Sequence, residues 1–197
     1  MPKASPGPRD ERGVLSARIL RAAQEAFADA GYAGTTMRAV ARAADVDAAL
    51  VYHYFGSKEA LLDAATAPPQ RWLDSVATTW TMPVPQLGEA LVRLMLSAWS
   101  DAEIGPVLRA ILQTAAHEAA TREKLRLVVE RSLMGVSQLG TDERDRMVRS
   151  GLISSQIMGL AMMRYVWGIE PVASMDEDEL VAAVAPNLQR YIEEDLG

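Results

Sequence analysis

Apolar residues recur three and four positions apart through most of the chain, and no stretch alternates with the period of a strand. That pattern predicts an all-α protein. Leu15, Ile19, Ala22, Ala23, Ala26 and Phe27 share one face of a first helix over 14–30, which Gly31 stops. Thr35 or Thr36 caps a short second helix whose inward face is Val40, Ala41 and Ala44. A turn through Asp45-Val46 follows, with Val46 as the plug between helices. Asp47 can then cap a third helix by accepting the amide hydrogens of its first turn. Ser57 opens a fourth helix through Leu61, Leu62 and Ala65, and Pro68-Pro69 interrupts it. Trp72, Val76 and Trp80 resume helical spacing as far as Met82-Pro83.

Beyond this point the helices become longer and more apolar, and they are expected near 84–100, 103–118, 121–139, 142–169 and 176–195. Asp101 precedes one start, Thr121 offers a cap, and Gly140-Thr141-Asp142 ends one helix and caps the next. Pro171 closes the long helix. The acidic run Asp176-Glu177-Asp178-Glu179 suits the positive end of the last one. Pro106 and Pro186 predict first-turn placement or kinks. The expected organisation is an arm over 1–13, a helix-turn-helix domain over 14–62 and a larger helical domain over 63–197. The proline- and glycine-rich arm reads either as a disordered tail or as a basic arm that reaches DNA through Lys3, Arg9 and Arg12.

Composition narrows the class of function. Of 197 residues 49% are hydrophobic, yet no run approaches the roughly 20 apolar residues of a membrane span. The opening residues lack the apolar core of a secretory signal. Cysteine is absent and there are only two histidines, His53 and His117, so thiolate metal sites and thiol catalysis are excluded. A cytoplasmic protein with no cofactor and no metal is the simplest reading. The net charge of −6 divides unevenly. Residues 1–58 hold eight bases against six acids, a net of +2, which leaves −8 for the remainder. The basic part is the part that carries the helix-turn-helix, as phosphate contact requires.

Residues 36–58 carry the chemistry. Two short helices around a tight turn can lay one helix across a DNA backbone and set the other in the major groove. Thr36 caps its helix and can also take a phosphate; Arg38 can reach a phosphate or a guanine edge. Arg42 suits a solvated or phosphate-facing position. Ala48 and Ala49 let a helix sink into the groove, or serve merely as good helix formers. Tyr52 and His53 offer hydrogen bonds to phosphate or base, Phe55 joins the core, and Lys58 is placed for a backbone phosphate.

Gly31-Tyr32, Thr35-Thr36, Val40-Ala41, Val46, Tyr52-His53-Tyr54-Phe55, Ser57-Lys58-Glu59 and Leu61-Leu62 together resemble the N-terminal domain of the tetracycline-repressor (TetR) family. The resemblance covers residues 14–62. It implies an all-helical homodimer with a three-helix DNA-binding domain and a larger ligand-sensing, dimerising domain. Carried over residue by residue, it puts Thr36, Arg38, Ala48, Ala49, Tyr52, His53 and Lys58 at DNA. Two positions depart from the pattern. Asp45 stands where glycine is usual, so it must adopt the left-handed conformation or the turn must differ. Asp47 replaces a serine and brings a negative charge towards the phosphates.

Leu152 through Leu188 is similar to a C-terminal domain frequent in actinobacterial members of that family. This implies a homodimer formed through the last two helices. Small residues Gly151, Ser155, Gly159 and Ala161 permit close helix approach. Met147, Val148, Leu152, Met158 and Met162 make that helix apolar on more than one face. Met95, Trp99, Leu108, Leu112, His117, Met158, Met162 and Trp167 are candidate walls for a small hydrophobic effector, or simply core. His117 beside Glu118 reads as an effector contact or as a surface pair. The expected function is a ligand-responsive regulator, more a repressor than an activator, on a palindromic operator of double-stranded DNA. An enzyme using Arg109, His117 and Glu118 is the rival, and no nucleophile, metal spacing or phosphate loop supports it. A second rival is a helical module that binds protein through the same motif.

Overall fold

The computed structural model describes residues 8–115, 122, 123, 126 and 139–196, with side chains from Gly13 onward. All regular structure among them is helical. The chain separates into two compact units, Met1–Ala67 with Pro106–Glu123, and Pro68–Gly105 with Lys124–Gly197. The break at residue 67 falls just before Pro68-Pro69, which cannot continue a helix.

The first unit opens with α1 (Pro8–Gly34), which starts six residues earlier than the periodicity indicates, inside the stretch expected to be an arm. Gly31 stops the regular helix as anticipated: its φ of 66° and ψ of −177° break the path, and a short turn follows to Gly34. Thr35 seals this break. Its side chain is buried, and its hydroxyl lies 2.9 and 2.8 Å from the carbonyls of Ala26 and Gly31, so its one hydrogen serves this pair of acceptors. The short helices α2 (Met37–Ala43), α3 (Ala48–Phe55) and α4 (Lys58–Ala65) complete the domain. Ile19, Ala23, Phe27, Val40, Val51, Leu61 and Ala65 are completely buried and form its centre. Val46, Tyr54 and Phe55 pack around them half-buried. Helices of seven or eight residues are unstable alone, so this core and the caps hold them.

The turn between α2 and α3 is made by Asp45, the one described non-glycine residue with positive φ, at 51°. The left-handed alternative is thus the one adopted, and Arg18 on α1 donates to the Asp45 carbonyl at 3.2 Å. Aspartate tolerates this conformation; a β-branched residue does not. Asp45→Val is expected to cost about 1–2 kcal/mol in urea unfolding, whereas Asp45→Gly leaves stability equal or higher. If both variants lose stability equally, the side chain and not the backbone is at issue.

In the second unit α5 (Gln70–Thr79) is followed by a single 3-10 turn (Val84–Gln86) and α6 (Leu87–Ser100). Next along the chain is α7 (Ile104–Ala115), which belongs to the first unit from Pro106 onward; α8 (Glu143–Ala161) and α9 (Glu177–Glu193) follow in the second. The helix expected over 121–139 lies almost entirely outside the described residues. The long helix expected over 142–169 is α-helical only to Ala161; a π-turn over Met162–Val166 ends it. Caps fall where the sequence places them. Asp142 accepts from the amide of Asp145 at 2.9 Å, and Asp176 accepts from those of Asp178 and Glu179. Pro106 sits in the first turn of α7, where its missing N–H costs nothing.

α6 packs chiefly on α9, with α5 and α8 beside it. Gly88 makes the closest approach. A Cβ there would stand 2.6 Å from the carbonyl oxygen of Ala185 and 2.9 Å from the amide nitrogen of Gln189. Gln189 fastens the crossing by accepting from the Gly88 amide at 2.8 Å and donating to the Val84 carbonyl at 2.9 Å. Just beyond this crossing, at the C-terminal end of α9, buried Arg149 donates to Asp145 and to the carbonyls of Tyr191 and Glu194. It thereby supplies donors to the last turn of that helix, which has none of its own. Arg71 forms a bidentate pair with Asp101 and also reaches Glu103. The Arg71 guanidinium holds the Asp101 carboxyl well below the usual carboxylate range, helped by the Ile104 and Glu103 amides.

Candidate nucleic-acid interface and effector region

Three caps in succession build the interface. The Thr36 hydroxyl oxygen accepts from the Ala39 amide at 3.1 Å and starts α2. This leaves its own hydrogen free for an external acceptor. Asp47 starts α3 through Oδ1, which accepts from the Ala49 amide at 2.7 Å. Gly56, at φ 74°, ends α3 directly after Phe55, and the Ser57 hydroxyl accepts from the Ala60 amide at 3.1 Å to start α4. Only a residue that enters positive φ freely lets two helices join across so short a link.

Along α3 the sequence divides its sides by helical geometry. Val51 is completely buried, whereas Ala49, Tyr52 and His53 are exposed and lie three and four positions apart on one face. Tyr52 is 51% exposed, an unusual position for so large a ring in a small domain. His53 meets Tyr54 edge-on at 5.7 Å between ring centroids. Ala48 is placed differently from its neighbour: it is half-buried against the domain core. Arg38 and Arg42 lie on α2, one turn apart, with Arg38 exposed.

Lys58 begins α4, half-buried, with its ammonium 4.2 Å from the centroid of the Tyr32 ring. The Tyr32 hydroxyl donates to the Glu59 carboxylate. That bond, aided by the backbone and Ser57 bonds at the helix start, holds the Glu59 carboxyl below its usual range. Neither contact follows from the spacing of the residues.

The candidate effector residues separate. Met95 and Trp99 are buried on α6, and Trp99 stacks on Tyr165 with centroids 5.2 Å apart. Met158 and Met162 are half-buried on α8 and its π-turn, and Leu112 is half-buried on α7. His117 lies outside the described residues. Trp167, past the end of the π-turn, is 60% exposed and does not join the buried members of this group. Tyr165 has no distinguishing signal in the sequence; its hydroxyl is buried with no hydrogen-bond partner among the described residues. On α8 Met147 and Val148 are exposed at 67% and 47%, and Gly151, Ser155 and Gly159 continue the exposed surface. Around Gly151 and Gly159 an added Cβ would meet nothing. Ala161, grouped with these small residues by sequence, is instead buried. The described residues hold no group of acidic or histidine side chains suited to a metal.

Residues 19–65 match the family of bacterial regulatory proteins of the tetR type, and residues 86–192 match the tetracyclin repressor-like C-terminal domain. The chain belongs to the TetR family. Its members are transcriptional regulators, not enzymes, which removes the enzyme reading. Among relatives, the transcriptional regulator BetI of Burkholderia mallei is 29% identical over 125 residues. That match spans 61% of this chain and 64% of BetI. A TetR-family regulator from Streptomyces coelicolor is 28% identical, with a TM-score of 0.65 over 96% of this chain and 100% of that one. NalD of Pseudomonas aeruginosa, a repressor of a multidrug efflux pump, shares the fold at a TM-score of 0.67 and 19% identity. Its match covers 95% of this chain and 100% of NalD. None of the described helices is long and apolar enough to cross a membrane.

Proposed function

We propose that this TetR-family chain is a cytoplasmic, dimeric repressor that binds a palindromic operator and is released by a small hydrophobic effector. The observation that carries the reading is the exposed face of Ala49, Tyr52 and His53 on a capped helix behind a left-handed turn. In this reading residues 14–62 bind DNA and residues 63–197 sense the effector and dimerise. Tyr52 and His53 approach base edges or phosphates, and Ala49 lets α3 enter the groove. Thr36, Arg38 and Lys58 hold the backbone, while Ala48 contributes mainly through packing. Two copies of α3 then sit about 34–36 Å apart in successive major grooves.

The exposed apolar and small residues of α8 support a homodimer through the last two helices. On α9, Ala182, Ala183 and Pro186 are also exposed, so both helices present short side chains outward. The C-terminal half is of the type frequent in actinobacteria. Met95, Trp99, Met158 and Met162 supply apolar walls for the effector. An effector that binds best to a form with the wrong spacing of α3 shifts the population away from DNA.

A gel shift on DNA from immediately upstream of the gene, repeated across salt concentrations, tests this. A dimer that neutralises several phosphates should lose affinity by about 10³-fold or more between roughly 50 and 200 mM salt. A footprint should show two-fold symmetry. Affinity independent of salt, or no protected symmetric site, would rule the reading out.

A further inference from the structure

Tyr32 meets two opposite charges at different parts of its side chain. Lys58 and Glu59 are adjacent in the first turn of α4 and carry opposite charges. The Tyr32 hydroxyl takes the Glu59 carboxylate, and the face of its ring takes the Lys58 ammonium at 4.2 Å. One residue from the turn after Gly31 therefore sorts both charges of another helix. Phe27, completely buried, stacks on Tyr32 with centroids 6.2 Å apart and an interplanar angle of 11°, so the ring has a firm backing. Lysine has a flexible stem that loses rotamer freedom when it meets a phosphate. A ring that already confines the ammonium reduces that loss, and it leaves hydrogens on the far side free to donate.

We infer that Tyr32 is a positioning residue for DNA binding, which pre-orders Lys58 for a backbone phosphate and keeps Glu59 from neutralising it. This rests on the assignment of Lys58 to a phosphate. Arg18, which grips the Asp45 carbonyl, does comparable work for the turn but carries no charge sorting of this kind.

The test uses the full chain on a mixed-sequence B-DNA duplex, with affinity measured against salt, since non-specific binding reports phosphate contacts. Lys58→Ala should lower the slope of log K on log salt by about 0.9 for each phosphate no longer neutralised, about twice that in a dimer. Tyr32→Met, which fills the space beside Phe27 without a ring, should remove most of the same slope. Lys58→Ala should then add little in the Tyr32→Met background, and Tyr32→Phe should restore only part of the slope, because it keeps the ring that meets Lys58 but not the hydroxyl that holds Glu59. A Tyr32→Met protein with the wild-type slope, beside a Lys58→Ala protein with a reduced one, overturns the role of Tyr32 and leaves the phosphate assignment standing. An unchanged slope in Lys58→Ala overturns both. Nuclear magnetic resonance of the unmodified protein gives a check that needs no variant to fold. The Lys58 ε-methylene protons should be shifted upfield by the Tyr32 ring current, and random-coil values would refute the contact.

Discussion

A Tyr52→Ala, Lys58→Ala double variant is expected to lose operator binding by about a hundredfold or more while it unfolds at nearly the wild-type temperature. The direction follows from exposure. Tyr52 stands 51% exposed on α3 and lies outside the domain core, so its removal costs that core almost nothing. In the proposed dimer on DNA each side chain acts twice. A hydrogen bond to a charged group is worth about 1.5–3 kcal/mol, so the paired losses exceed the roughly 2.8 kcal/mol that a hundredfold represents. Binding by gel shift and melting by circular dichroism should therefore separate. Wild-type binding by the double variant would remove these residues from the interface. A matching collapse of stability would show that they hold the fold.

Gly88→Ala is expected to destabilise the second unit, although alanine is the better helix former. Propensity favours the substitution by about 1 kcal/mol. The geometry opposes it more strongly, because the new Cβ would lie 2.6 Å from a backbone carbonyl oxygen of α9. A backbone atom inside a helix cannot swing aside, so α6 and α9 must separate and give up part of their shared packing. Overpacking of this kind costs about 1–3 kcal/mol or somewhat more. With the Gln189 hydrogen bonds broken as well, a net of about 2 kcal/mol lowers Tm by roughly 4–8 °C. Gly151→Ala is the control: nothing lies within 4 Å of its Cβ in the monomer, and propensity alone should raise or preserve monomer stability. A higher Tm for Gly88→Ala would mean that the two helices sit farther apart.

The DNA-binding half was far more legible in the sequence than the other. Caps, turns and helix faces depend on residues within four positions of one another. Asp47, Ser57 and Asp142 can each be assigned without knowing the rest of the fold, while the start of α2 narrows to Thr35 or Thr36, of which Thr36 is the cap. Asp45 could be narrowed to two alternatives by sterics, and the left-handed one is observed. The boundaries were less certain. Nothing in the periodicity warned that α1 begins at Pro8, or that α8 gives way to a π-turn after Ala161. A π-turn shifts register by a single residue, a change that a stripe of methionines and tyrosine does not reveal.

By itself, then, the amino-acid order determined the helical class, the helix-turn-helix, its caps and the exposed face of α3. These are short-range consequences of spacing, sterics and side-chain chemistry. The tertiary structure decided what is joined across distance. Tyr32 meets Glu59 27 residues away, Arg149 reaches Tyr191 across 42, and Gly88 meets Gln189 across 101. Such pairs have no local signature, because each partner is an ordinary residue for its own helix. Only packing, which brings two faces to a fixed separation and leaves room for one side chain and not another, selects them.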